Sequence, residues 1–518
     1  MRLREVFSKL YQDEDFKALF PALGRPALPA WRLALVTVFQ FLENLTDRQA
    51  ADAVRSRIDW NCALGLKLSD AGFDFSVLGE FRRRLVASDQ GTLLLDKLLG
   101  HLKAQDLLRA QGKQRSDSTH VLANIRALNR CELVGESMGA ALNELAVDAA
   151  EGLRVLVPEV WYERYAPRVE AYHLPKSQAG RKEYLSRVAE DGFKRWDAID
   201  HESAPSEVQR KKQVEVLGKV WERYFERKDE RIRLLDEPAS SVTEAVVSAY
   251  DPEARYSNKG SVSWNGYKVH LSESCDADKA NFIVNVRTTA APEHDIKSTD
   301  AIPAAMVAKA LLPKGHFVDG AYPASRYVSS KETYGIHLLG PPPRNPAWQD
   351  KQADAFGLDA FEIDWQAKQV TCPSGKRSSY WNPYRPPRGG ERIQARFALS
   401  DCQPCPARLK CTRAKKFGRF VNFQPQAQYE ALKAARDYRL TEEGKKAYNR
   451  RAGIEATISQ EVRAFGARRS RYLGQAKTHL QQLVTAVATN LVRYDDWLQV
   501  KPKQPRPPSR FARLKLEA

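Results

Sequence analysis

The 518-residue chain has no apolar run approaching the roughly 18 residues a membrane-spanning helix needs. The first residues, Met1 to Phe7, are basic but lead into no apolar core and no small-residue cleavage site, so a secretory leader is not expected. Cysteine is scarce. There are seven, an odd number with four of them grouped, which favours a reduced compartment and a metal over a disulfide framework. Acids fall short of bases, 64 against 82, and the resulting charge of +18 suits a polyanionic partner. No internal repeat is visible. Hydrophobic residues make up 43% of the chain, enough for packed cores, which excludes a disordered protein.

Length predicts about three domains at roughly 150 residues each. Residues 1–105 read as helical, with Trp31, Leu35, Val38, Phe39 and Leu42 at helical spacing. Thr46 to Gln49 fits a capping box. A second helix over Phe75–Leu85 carries Arg82, Arg83 and Arg84. This pair of helices is either a DNA-docking element or a bundle with a solvated basic face. Residues 106–130 contain a short β-prone stretch, and 131–240 form a charged helical insertion. Strands return over 261–270 and 282–286. A helix with Pro303 near its start follows, then a strand over Gly315–Asp319, so 241–340 reads as an α/β core. Residues 341–440 are Pro-broken and hold the cysteine group. Residues 441–499 carry a long helix from Thr441 to about Phe465, and another with Leu480, Leu483, Val487 and Leu491. The basic, Pro-rich tail 500–518 is expected to be a disordered arm.

Three acids stand out: Asp117 in a β-prone stretch, Asp319 at the end of an apolar strand, and Glu455 on the long helix. Three carboxylates from distant points of a basic chain can hold two divalent metals against a phosphodiester, the chemistry of DNA cutting and joining. On a continuous helix Tyr448 and Glu455 point about 20° apart and Arg451 lies one turn before Glu455, so a phenol, a guanidinium and a carboxylate share a face. The plain alternatives are an exposed Arg–Glu pair and Asp-containing turns. His120, His270 and His294 read better as hydrogen-bonding groups near the site than as metal ligands, with His294 and Asp295 in support.

Cys402 and Cys405 form a Cys-x-x-Cys, with Cys411 six residues on and Cys372 thirty before. Four thiolates from two loop regions suit a closed, structural Zn²⁺ site; disulfides and an iron–sulfur site are the rivals. Cys62, Cys131 and Cys275 are isolated and read as inert core thiols.

Several stretches carry a resemblance. They are Asp-Ser-Thr-His-Val at 117–121, Trp-Asn-Gly-Tyr-Lys-Val-His at 264–270, Pro-Glu-His-Asp at 292–295 and Val-Asp-Gly-Ala-Tyr at 318–322. The four cysteines, Tyr448, Arg451, Glu455 and Arg-Arg-Ser-Arg-Tyr at 468–472 complete the set. Together they resemble the DDE transposases of bacterial insertion sequences, in the IS-four-like superfamily and its IS-eleven-eighty-two-type branch. The resemblance implies an RNase H-like α/β core with an N-terminal helical DNA-binding domain, a helical insertion and a zinc-binding insertion built on the four cysteines. It implies that Asp117, Asp319 and Glu455 bind two Mg²⁺ (or Mn²⁺) ions. Tyr448, Arg451, Arg463, Arg468, Arg469 and Arg471 would contact double-stranded DNA, at inverted repeats and at the target. It further implies a homodimer in a synaptic complex, and a cytoplasmic, nucleoid-associated bacterial protein. The family's lysine seven residues after the glutamate is Val462 here, with Arg463 beside it. A domesticated DNA-binding protein and a metal-dependent endonuclease are the competing readings.

Overall fold

A computed structural model describes residues 10–20, 28–170, 173–200, 211–228, 231–239, 241, 243–319, 324–342, 347–387, 390–499 and 513. The expected arm at 500–518 therefore lies outside the described residues except for Arg513, as does Gly320 beside Asp319.

The chain opens with helices α1 (Ala30–Leu42), α2 (Asp47–Ser56), α3 (Ile58–Leu64), α4 (Ser76–Ala87) and α5 (Leu93–Ala104). The capping box forms as its residues dictate: Thr46 accepts from the Gln49 amide at 3.2 Å and Gln49 accepts from the Thr46 amide at 2.9 Å. Strand β1 (Lys113–Leu122) follows. Helices α6 (Arg130–Asp148), α7 (Gln178–Asp200) and α8 (Lys212–Tyr224) come next, then a hairpin of β2 (Phe225–Lys228) and β3 (Arg231–Leu234) inside the segment expected to be all helical. This segment buries its own core, including Leu133, Trp161, Leu185, Val214, Leu217 and Trp221.

Strands β4 (Arg255–Lys259), β5 (Val262–Ser274), β6 (Ile283–Ala290), β7 (Gly315–Val318) and β8 (His337–Leu339) join β1 in one mixed sheet. Its main path runs β6-β5-β1-β7-β8, with β4 on the first part of β5. β5 is antiparallel to β1 and β6, whereas β1, β7 and β8 are parallel. Helix α9 (Ser298–Ala308) links β6 to β7, and α10 (Ala324–Tyr334) links β7 to β8. Parallel neighbours need such crossovers. This order, with three meandering strands followed by two helix-linked ones, is consistent with an RNase H-like core. Pro303 lies well inside α9, which starts earlier than expected because a 3₁₀ turn over Asp295–Lys297 leads directly into it.

β1 is a central strand despite its polar sequence. Its buried Ser116 hydroxyl pairs with Ser272 Oγ at 2.5 Å and His316 Nε2 at 2.7 Å, so neighbouring strands satisfy what burial would otherwise penalise. Gly266 is required where β5 passes the end of β1: its φ is +152°, and a Cβ there would collide with the Val121 carbonyl.

The Cys-rich segment has its own small core around Phe361, Val370, Phe397 and Phe423. It is built on β9 (Glu362–Asp364) with β10 (Gln369–Thr371), and on a sheet of β11 (Tyr380–Tyr384), β12 (Arg392–Arg396) and β13 (Phe420–Phe423). Helices α11 (Gln426–Leu440), α12 (Glu442–Asn449), α13 (Gly453–Phe465) and α14 (Gln475–Leu498) close the fold. α14 packs on β6 and on α1, α4 and α5. The N-terminal helices and the sheet therefore share one core, with Leu35, Leu98, Tyr267, Val284 and Val487 all buried in it. No helix among the described residues is long and apolar enough to cross a membrane.

The expected single helix from Thr441 to Phe465 is broken. A 3₁₀ turn over Arg450–Ala452 separates α12 from α13. At the break the Arg115 guanidinium donates to the Arg450 carbonyl, and a Cβ on Gly453 would collide with that guanidinium. A tertiary contact thus overrides helical propensity here.

Candidate active site

β1 and β7 run parallel, so Asp117 and Asp319 emerge side by side: Ser116 pairs with Val318, and each acid is the next residue. Glu455 sits in the first turn of α13, where a carboxylate is favoured by the helix dipole. The three acids meet at Arg451. Its Nη1 lies 3.4 Å from Asp117 Oδ2 and 3.8 Å from Asp319 Oδ2, and its Nη2 donates to Glu455 Oε1 at 2.7 Å. The structure thus brings together Asp117, Asp319, Arg451 and Glu455, together with Tyr448, whose ring lies 5.8 Å from the Arg451 guanidinium carbon. Tyr448 reaches this point across the 3₁₀ turn and not along one straight helical face.

Asp117 is mostly buried and accepts from the Ser118 amide at 2.7 Å. Burial first, and repulsion from Asp319 second, push its carboxyl above the usual range, against the pull of the Ser118 amide and Arg451. Burial also raises the Tyr448 phenol. Ser118 donates to Asp295 at 3.2 Å, and Lys268 donates to the same carboxylate at 2.9 Å. Burial would raise the Asp295 carboxyl, but the Lys268 bond and charge outweigh it and hold the group low. His294 caps the following turn by accepting from the Ile296 amide at 3.4 Å. His270 is buried against Thr289 and Ser298, and burial pushes it down to about 4. His120 packs beside Trp264 with ring centroids 5.4 Å apart.

Of the arginines singled out in the sequence, Arg463, Arg468 and Arg469 are exposed. Arg468 donates to Thr119 Oγ1 at 3.1 Å, two residues along β1 from Asp117. Arg471 is engaged inside the protein: it donates to the Leu45 carbonyl at 2.8 Å and to Asn44, over the Phe41 ring. Arg82 is likewise buried, bonded to Asp47 at 2.5 Å and Gln40 at 3.1 Å, while Arg83 and Arg84 both pair with Glu80. Asp47 and Glu80 therefore offset two of the three charges, and Arg82 is held inside the protein.

Beneath the acids lies a network that sequence spacing did not reveal. Glu273 on β5 is fully buried. It accepts from Arg115 at 2.6 Å, Arg493 at 2.8 Å and Thr457 at 2.6 Å. Arg115 is two residues before Asp117, and Thr457 two residues after Glu455. One buried carboxylate therefore ties the strand bearing the first acid to the helix bearing the third.

The four grouped cysteines are unbonded to one another and line a single cavity of about 270 Å³ with Arg419 and Ser374. The Arg419 amide donates to Cys402 Sγ at 3.4 Å, and Ser374 Oγ lies 3.5 Å from Cys405 Sγ. Burial, and then the other sulfurs, push the Cys411 thiol up to about 11 despite Arg419. Soft donors on one cavity fit a thiophilic metal chemically. Among the described residues, however, no three His, Cys, Asp or Glu side chains are arranged to hold a metal ion, either here or at the acid trio.

Two stretches of the chain match known families. Residues 2–84 match a transposase domain (DUF772), and residues 371–494, which include Tyr448, Arg451 and Glu455, match the transposase DDE domain. No curated protein matches the chain. The chain thus carries a match to a transposase domain near its start and to a transposase DDE domain near its end, and the two together indicate an insertion-sequence DDE transposase.

Proposed function

We propose that the protein binds the terminal inverted repeats of an insertion sequence, cleaves DNA at the element ends and joins the freed 3′ ends to target DNA. The observation that supports this best is the meeting of Asp117, Asp319 and Glu455 around one guanidinium in a chain with two transposase domains. The donor set also fits the cofactor the family uses, because three carboxylates sharing one positive charge suit a hard divalent cation such as Mg²⁺ or Mn²⁺. When bound, two such ions would supply activation of the attacking hydroxyl and stabilisation of the leaving oxygen.

The chain's own residues supply position. Asp117 and Asp319 are presented from adjacent parallel strands and Glu455 from a helix start, so their oxygens are held by rigid elements. Asp295, braced by Lys268, steadies Ser118 and through it the Asp117 strand. Tyr448 and Arg451 beside the acids, with Arg463, Arg468 and Arg469, would grip phosphates near the scissile bond. Arg471 is assigned a structural role instead, pinning the Arg468–Tyr472 segment to the N-terminal helices. The Cys-rich insertion is read as a zinc-stapled module, supported by the shared cavity of its four thiols. A homodimer is proposed because two element ends must be processed together.

The test is an excision-and-insertion assay with a marker flanked by the gene's own left and right DNA ends. Wild type should move the marker. Asp117→Asn, Asp319→Asn and Glu455→Gln should be inactive while still binding the ends. A variant with wild-type activity would show that the wrong acid is assigned. An inactive wild type that still binds the ends would favour a domesticated DNA-binding protein. Cleavage without insertion would favour an endonuclease.

A further inference from the structure

Arg451 sits where a cation is needed, and it also obstructs one. Its side chain is 14% exposed, whereas Asp319 and Glu455 are 48% and 60% exposed, so the guanidinium lies deeper than the two acids it joins to Asp117. It lies against the Tyr448 ring, which Arg439 approaches at 5.2 Å. The three carboxylates converge on the guanidinium. The planar fork takes up lone pairs that a metal would use, and its charge would repel a divalent ion at contact distance. Arg451 is carried on the short 3₁₀ turn between α12 and α13.

We infer that Arg451 plugs the metal site in the DNA-free protein and leaves it when a DNA phosphate beside the site takes the guanidinium. The inference rests on the reading of Asp117, Asp319 and Glu455 as metal ligands. A phosphate offers two acceptor oxygens to the fork that Glu455 and Asp117 now share, one oxygen each. Docked DNA thus removes the metal's competitor, and bound metal frees the arginine for DNA. Linkage requires each to raise affinity for the other by the same factor. Undocked protein holds an incomplete metal site and cuts nothing.

The test reads Mn²⁺ binding directly by electron paramagnetic resonance, with and without duplex DNA taken from the flanks of the gene. Wild type should bind Mn²⁺ weakly alone and tightly with the duplex. Arg451→Ala should bind Mn²⁺ without DNA at least about tenfold more tightly than wild type, a difference of about 1.4 kcal/mol. The duplex should no longer improve that binding. Arg451→Lys keeps a charge but lacks the fork, so its DNA-free affinity should fall between the two. It serves as the test variant if Arg451→Ala does not fold. Equal Mn²⁺ affinity in wild type with and without DNA overturns the plug, as does an Arg451 variant with wild-type DNA-free affinity. Asp117→Asn and Glu455→Gln separate the two layers. If they abolish Mn²⁺ binding while Arg451 variants do nothing, only the plug fails. If they leave Mn²⁺ binding intact, the metal-ligand reading fails with it.

Discussion

Replacing Glu273 with glutamine tests whether the buried network holds the site together. The substitution keeps the shape and removes only the charge. It leaves Arg115 and Arg493, whose side chains are 8% and 17% exposed, without their shared counter-charge beside a carboxylate position with no exposed surface. Removing one partner of a buried ion pair costs about 3–5 kcal/mol, because the remaining charge is buried and uncompensated. The glutamine oxygen still accepts from Thr457, which places the expected loss near the lower end, about 3 kcal/mol. At about 2–4 °C per kcal/mol for a domain of some 150–250 residues, the melting midpoint should fall by roughly 6–12 °C. Circular dichroism melts and urea midpoints would measure it. A double-mutant cycle with Arg115→Ala should give a coupling of at least about 1 kcal/mol, since the two residues are in direct contact. A midpoint within about 1 °C of wild type, or additive single effects, would refute the claim that this carboxylate ties β1 to α13.

Glu461 is fully buried, and burial raises its carboxyl from 4.5 to about 8. The folded state therefore holds the proton more tightly than the unfolded one, so stability is full below about 4.5 and falls as pH rises toward about 8. Glu461→Gln should flatten that loss in melts across the range and be relatively more stable at the alkaline end; an unchanged slope would contradict it. Gly453→Ala should cost about 1–3 kcal/mol, read by urea unfolding, because the new methyl group displaces the Arg115 guanidinium. A neutral effect would mean Arg115 can move without penalty. If the four thiols hold zinc, protein purified without chelator should release about one equivalent on denaturation, measured with a colorimetric dye. Cys405→Ser should lose that zinc and melt earlier, and zinc-free wild type with the same midpoint would dismiss the staple.

The sequence by itself determined the local features. Thr46 and Gln49 form a capping box whatever surrounds them, because both partners lie within one helical turn. The apolar run before Asp319 makes a strand, and the acid at its end emerges into the site. The Arg451–Glu455 pair also follows from spacing, one turn apart. What required the tertiary structure is everything set by distant neighbours. β1 is a central strand with buried polar residues because Ser272 and His316 satisfy Ser116. The helix expected from Thr441 breaks because Arg115 inserts at Gly453. Arg82 and Arg471 look like free cations in sequence, yet partners far along the chain engage them inside the protein. The N-terminal helices read as a separate domain but share their core with the sheet through α14. Most of all, only folding could bring Asp117 and Asp319 to the same guanidinium as Glu455. Local pattern fixes where a side chain points along its own element, whereas the pairing of charges across elements depends on how those elements pack.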